Sequence, residues 1–404
     1  MNKKLGLAVA GALVAFASTA NAGITIPAGD WTVDLGGNVN AFYTHTSNSG
    51  ASNAKATNTV QTGLLPSALG IGAKTRQNDL DIAFQFTFFT GSDSGGQTSG
   101  GSNSLNIRQA FMTVGDASWG SVKFGRDLGI YGSDAILSDM TLLGVGSAAG
   151  GNGTSTLGRI GSGYMYADWI GQIAYTSPNF NGFQVAGALT QGWTNGADKT
   201  NSNLGFQGKV TYDFAANDVT GRVWVSGISQ KHEGAAAVAG TAAVQPTFGV
   251  ASTQLTPFVP ATAGSAAVAS YTSKGFDVGG KVAYSGAELV GYYYDGEGLS
   301  GSHGAVNGLL FNAGSKTQDS GGYVQATFKV PGIGTKLGAS WGGSYSTAAG
   351  AATEFSNEAW IVGAYHPLTK SLNLVAEYND QEYGLDNATK TKAKTVSLGA
   401  IMFF

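Results

Sequence analysis

Residues 392–404, KAKTVSLGAIMFF, decide the fold. Val396, Leu398, Ala400, Met402 and Phe404 share one face of an extended chain, with Thr395, Ser397 and Gly399 on the other. That is the period-two pattern of a strand with one apolar and one polar side. The pattern recurs upstream. Leu337, Ala339, Trp341, Gly343 and Tyr345 repeat it, as do Leu204, Phe206, Gly208, Val210 and Tyr212. Leu372, Leu374, Ala376 and Tyr378 oppose Asn373 and Glu377, while Ile82, Phe84, Phe86 and Phe88 oppose Asp81, Gln85 and Thr87. Extending the reading gives about sixteen strands. They lie near 31–46, 64–73, 79–90, 103–116, 118–126, 164–177, 180–192, 203–214, 218–231, 271–285, 287–296, 319–330, 334–346, 355–366, 371–383 and 392–404.

A soluble sandwich also alternates, so the connections discriminate. Short ones carry turn chemistry: KTRQN, SPNFNG, FAAND, SGA, PGIG and HPLTKS. Between them lie longer ones near 47–63, 91–102, 127–163, 193–202, 232–270, 297–318, 347–354 and 384–391. Strands joined this way form an up-and-down meander with one short-turn rim and one long-loop rim. An even number of alternating strands so connected predicts an all-β transmembrane antiparallel β-barrel of about 16 strands. The physical reason is that hydrocarbon tolerates a sheet only when it closes on itself and leaves no backbone group unpaired. Trp31, Phe42, Tyr43, Trp119, Trp193, Tyr292, Tyr293, Tyr294, Tyr365 and Phe404 fall near strand ends, where interfacial girdles are expected. The stretches 91–103 and 234–270 are low in complexity and read as surface loops.

Composition supports this class by exclusion. The 404 residues include 63 Gly and 8 Pro, no Cys, 42% hydrophobic and only 12% charged residues. Mean hydropathy is +0.00. Without Cys there is no disulfide framework, thiol catalysis or thiolate metal site. A net charge of −3 gives no electrostatic case for nucleic acid as a partner. Residues 1–22 have the three parts of a secretory signal: Lys3 and Lys4, the apolar run 5–17, and Ala20-Asn21-Ala22. Cleavage is expected after Ala22, leaving one domain, 23–404, on the far side of the inner membrane.

Four local segments give the chain a family resemblance. They are WTVDLGGNVNAFY (31–43), NIRQAFMTVGDASWGSVKFGRD (106–127), YTSPNFNGFQVAGAL (175–189) and the alternating last strand ending in Phe404. In this order they resemble the trimeric Gram-negative general porin family, particularly its β-proteobacterial type. The resemblance implies an outer-membrane, water-filled channel for passive diffusion of small hydrophilic solutes and ions. It also implies a homotrimer in the lipid bilayer, no cofactor, and a C-terminal Phe404 read by the barrel-insertion machinery. The third extracellular loop of that family folds into the pore, and 127–163 occupies its place. Asp139, in SDM, resembles the acidic loop motif, and Arg159, in LGRIGSG, the return of the chain onto the wall. Arg108, in IRQAF, matches a wall Arg, and it faces the lumen if Phe111 faces lipid. With Asp134, Lys123 and Asp127 these residues make up the expected constriction, Arg108 and Arg159 standing opposite the loop acids. Alternation with Val122 and Phe124 turns Arg126 outward, toward a subunit contact.

Plainer readings stand beside these roles. Asp134 and Asp127 also read as solvated loop acids, and Arg159 as a donor to loop carbonyls. Asn38 and Ala68 replace basic residues common in the family, and TLLGVG follows SDM without a second acid. Strong ion selectivity is therefore not expected. Tyr131, Tyr164, Tyr166 and Trp169 near the loop favour a second reading, a selective channel for small organic anions or aromatic acids. A surface adhesin or barrel enzyme is the alternative from another class. His45, His232, His303 and His366 are scattered, however, so neither a metal cluster nor a Ser-His-Asp set is indicated.

Overall fold

A computed structural model describes residues 23–52, 55–91, 105–148, 155–193, 203–234, 237, 269–300 and 316–404. The expected signal segment and nearly all of the two low-complexity stretches lie outside the described residues. The chain opens with β1 (Ile24–Ala28), β2 (Trp31–Gly50), β3 (Ala56–Gln61), β4 (Ser67–Gln77) and β5 (Leu80–Thr90). It continues with β6 (Asn106–Asp116), β7 (Gly120–Leu128), β8 (Trp169–Thr176), β9 (Phe183–Thr190) and β10 (Gly205–Ala216). Then follow β11 (Val219–His232), β12 (Tyr271–Tyr284), β13 (Ala287–Glu297) and β14 (Thr317–Lys329). The last four are β15 (Lys336–Ala348), β16 (Glu354–Pro367), β17 (Leu372–Leu385) and β18 (Thr391–Phe403). Between β7 and β8 lie helix α1 (Ser133–Ser138) and a 3-10 turn, Met140–Leu143.

Each strand pairs antiparallel with its neighbour, β9 with β10, and β18 closes the ring on β2. Two staves are composite. β3 pairs with 42–47 of β2 and β4 with 32–38 along the same edge, so the two share one position. On the other edge β1 pairs with the start of β2, and β18 with the rest. The eighteen strands therefore make a closed barrel of sixteen staves. β1 and β3 were not expected, and both fall where apolar alternation is too short to see.

Alternation sets the two faces. On β18, Val396, Leu398 and Met402 are exposed, whereas Thr395, Ser397 and Ile401 are buried inside the ring. Because the side-chain period is two, a one-residue slip would turn every lipid-facing side chain inward. Register is pinned at the short-turn rim by residues with positive φ. Ser285 and Gly286 (φ 46 and 86) join β12 to β13, and Asn78 and Asp79 (φ 48 and 61) join β4 to β5. Two consecutive left-handed residues give the turn whose twist matches the flanking strands. No helix among the described residues is long and apolar enough to cross a membrane; the barrel crosses with strands.

Candidate functional site

The connection between β7 and β8 contains the expected constriction segment, and wall side chains fix its course. Gln207 of β10 accepts from the Ile130 and Tyr131 amides at 2.6 and 2.8 Å. Asp277 of β12 accepts from the Gly132 amide at 3.0 Å. On β14, the Tyr323 hydroxyl donates to the Ala135 carbonyl, and Gln325 accepts from the Met140 amide and donates to the Ser138 carbonyl. Glu377 of β17 takes the Val145 and Gly146 amides, both at 2.8 Å. The chain then reaches the link between β3 and β4, where Leu64 donates to Gly144 and Thr156 donates to Gly63. These inward acceptors replace water for a backbone that has no strand partner. Apolar loop side chains, including Ile136, Met140, Leu142 and Val145, pack against wall residues such as Phe42, Val290, Ile361 and Ile401.

Asp139 and Arg159 serve the loop itself. Asp139 is buried and caps the 3-10 turn, its Oδ1 accepting from the Thr141 amide. Its Oδ2 accepts from Thr141 Oγ1, the Tyr164 hydroxyl and the Arg159 amide at 2.7, 2.8 and 3.3 Å. The Arg159 guanidinium, 0% exposed, donates to Ser340 Oγ of β15, to the Ser162 carbonyl and to the Ala359 carbonyl of β16. Burial lowers its pKa, against the attraction of Asp139. The donor-to-carbonyl reading of Arg159 thus describes its contacts, and these side chains stitch the outgoing and returning limbs together.

The other charges lie on the wall. Lys123 pairs with Asp127 four residues on, and its ammonium sits 4.9 Å from the Phe111 ring centre. Asp127 also accepts from Gln109 at 2.8 Å. Asp134 leaves α1 to meet Lys209 of β10 at 2.6 Å and Arg222 of β11 at 3.6 Å. Burial opposes ionisation of Asp134, but Lys209 and Arg222 outweigh it, and its carboxyl lies below the ordinary carboxylate value. Arg222 reaches Asp213 at 3.3 Å, and Lys281 of β12 stands directly opposite Arg222 in register. Among the described residues, no group of three or more His, Cys, Asp or Glu could hold a metal ion.

Arg108 faces inward, but not for the reason alternation suggests. Phe111 is 5% exposed and points into the barrel; Met112, at 51%, is the lipid-facing residue. The register of β5 against β6 shifts between Thr87 and Phe88, which pair with Gln109 and Ile107. Arg108 is the extra residue of that bulge, so Arg108 and Gln109 both lie on the inner side. Its guanidinium lies 4.9 Å from the centre of the Phe89 ring.

A family model described as Gram-negative porin matches residues 8–387. The chain belongs to the Gram-negative porin family. No curated protein matches the porin significantly. Similar solved structures include an outer membrane channel, DcaP, of Acinetobacter baumannii, at 15% identity and TM-score 0.63, covering 95% of this chain and 100% of that one. An anion-selective porin from Comamonas acidovorans is 15% identical with TM-score 0.58, covering 93% of this chain and 100% of that one. OmpT of Vibrio cholerae is 17% identical with TM-score 0.58, covering 94% and 100%. Family and fold together place the porin in the outer membrane. Its terminal Phe404 exchanges backbone hydrogen bonds with Gly37 at 3.1 and 2.9 Å, seaming the ends of the sheet. Arg126 is exposed on the outer face beside Phe124. Two basic residues of the site, Lys209 and Arg222, escaped the sequence reading. The signal was present: Phe206, Val210 and Tyr212 face lipid, which turns Gln207, Lys209 and Thr211 inward.

Proposed function

We propose that this porin is a passive diffusion channel for small hydrophilic solutes and ions, with the segment between β7 and β8 as its narrowing element. The observation that carries the reading is the row of inward side chains, from Gln207 to Glu377, that hold loop backbone across the inner wall. A barrel of sixteen staves is wide enough for water, so an anchored loop, not wall side chains, sets the aperture. Lys123 and Asp127 cancel locally. On the facing arc Lys209, Arg222 and Lys281 are matched by Asp134, Asp213 and Asp277, and Arg108 adds a positive charge with no ion pair among the described residues. Charges ringing a constriction select ions, so a modest anion preference follows. In this reading the chain is not an enzyme, signal residues 1–22 are removed, Phe404 serves barrel insertion, and outward Arg126 meets a neighbour in a homotrimer. Swelling of liposomes containing the purified protein tests the channel. Entry of small sugars should fall as solute size rises, and no entry of any sugar would reject the reading.

A further inference from the structure

We propose that Arg108, Trp169 and Tyr166 form a binding site for small aromatic carboxylates on the inner wall, deepening and resting on the channel reading. Two contacts meet at Phe89, and Tyr166 stands beside them. The Arg108 guanidinium lies over its face at 4.9 Å, and Arg108 is 7% exposed. No hydrogen bond or ion pair to that guanidinium occurs among the described residues, and the acid on the same wall, Asp127, is taken by Lys123 and Gln109. The Trp169 ring packs 5.9 Å from Phe89 at 44°. Beyond the Tyr166 hydroxyl, its indole N–H, in a residue 9% exposed, has no hydrogen-bond partner among the described residues. Burial pushes the neighbouring Tyr166 hydroxyl up to about 12, against the pull of Arg108, with the Trp169 indole also beside it.

A nearly buried cation with no anion carries an uncompensated desolvation cost, which a bound anion removes. The guanidinium fork matches both oxygens of a carboxylate, and a second donor close by extends that set. The indole and phenol rings then suit an aromatic or planar body attached to the carboxylate. Among the described residues the other acid nearby is Asp168, which is engaged by the Trp193 indole at 2.9 Å and by the Trp169 amide at 2.7 Å. The bulge is what brings this about: without the extra residue, Arg108 would share the lipid-facing side with Ala110 and Met112.

Benzoate is the probe, with benzamide as its uncharged analogue and acetate as the carboxylate without a ring. In planar bilayers benzoate should block the open current in a concentration-dependent way, with benzamide and acetate much weaker. Arg108→Gln should weaken the block by about tenfold or more, as expected for loss of a charged hydrogen-bond pair. Trp169→Phe, which keeps a ring but removes the N–H, should weaken it less. Where the barrel conducts, equal block in wild type and Arg108→Gln, or no block at all, would overturn the site. Saturation-transfer NMR with benzoate on the barrel in micelles separates the two claims. Arg108-dependent binding without current would reject the channel reading alone. Absence of Arg108-dependent binding would overturn the site, whether or not the barrel conducts.

Discussion

Arg159→Met cuts the return limb of the loop free from the wall. The guanidinium makes bonds of 2.9 and 2.6 Å to Ser340 Oγ, 3.1 Å to the Ser162 carbonyl and 3.3 Å to the Ala359 carbonyl. Methionine fills similar space but donates nothing, leaving these buried acceptors unpartnered. Removing one partner from a buried charged network costs about 3–5 kcal/mol. The low end applies, because burial already disfavours the charged guanidinium and methionine removes that penalty. At 1.36 kcal/mol per tenfold, about 3 kcal/mol makes local opening roughly a hundredfold more frequent. Hydrogen exchange read by mass spectrometry on peptides covering 155–168 should therefore lose about two powers of ten in protection. Peptides from β15 and β16, held by their ladders, should change little. Wild-type protection across 155–168 would refute the pinning role of Arg159.

Asp139→Asn leaves an amide NH₂ where Oδ2 received the Arg159 amide, and should cost about 1–3 kcal/mol of loop stability. Because Asp139 is buried in the loop's own network, the reversal potential in a salt gradient should stay at the wild-type value; a marked shift would restore it to the pore lining. Gly144→Ala builds a Cβ 2.0 Å from Glu377 Oε1 and should break the clamp on Val145 and Gly146, raising exchange at those amides; unchanged exchange would show the clamp to be idle. Lys281→Gln removes a wall charge that has no ion pair among the described residues, and should move selectivity toward cations; an unchanged reversal potential would take Lys281 out of the field. The Asp134 carboxyl is lowered by folding, so its contribution is complete above the ordinary value of about 4 and is lost as pH falls through its own lower value. Exchange protection of the Ser133–Ser138 amides should accordingly be flat from about pH 7 to 5 and change only below about 4; a transition of these amides near neutrality would contradict the pairing with Lys209.

The barrel was legible because lipid and water impose opposite demands on alternate residues. Val396, Leu398 and Met402 carry that signature without any tertiary information. β3 did not, since Thr57, Asn58 and Thr59 are polar on both faces. The bulge at Arg108 is invisible in the sequence because alternation assumes one residue per rung; strict alternation puts Arg108 and Phe111 on opposite faces, whereas the extra residue puts both inside. Nor does sequence separate a charge that lines a pore from one that folds a loop. Asp139 and Arg159 looked like facing pore charges, yet a loop lying inside a barrel has many backbone groups to satisfy, and these two side chains are consumed there. Asn38 shows the reverse. It sits where a basic lumenal residue was anticipated, and with Asn40 it holds the link between β3 and β4, Asn40 bonding Asn38 Oδ1 at 2.7 Å, the Leu65 carbonyl at 2.9 Å and the Gly63 amide at 2.9 Å.

Single-channel conductance, compared between the full chain and a variant with residues 130–166 replaced by a short Gly-Ser link, tests the central claim most directly. The full chain should form a stable ohmic channel, and conductance should rise severalfold once the loop is gone, with larger sugars then able to block it. A barrel that inserts but carries no current, or equal conductance with and without the loop, would contradict that claim.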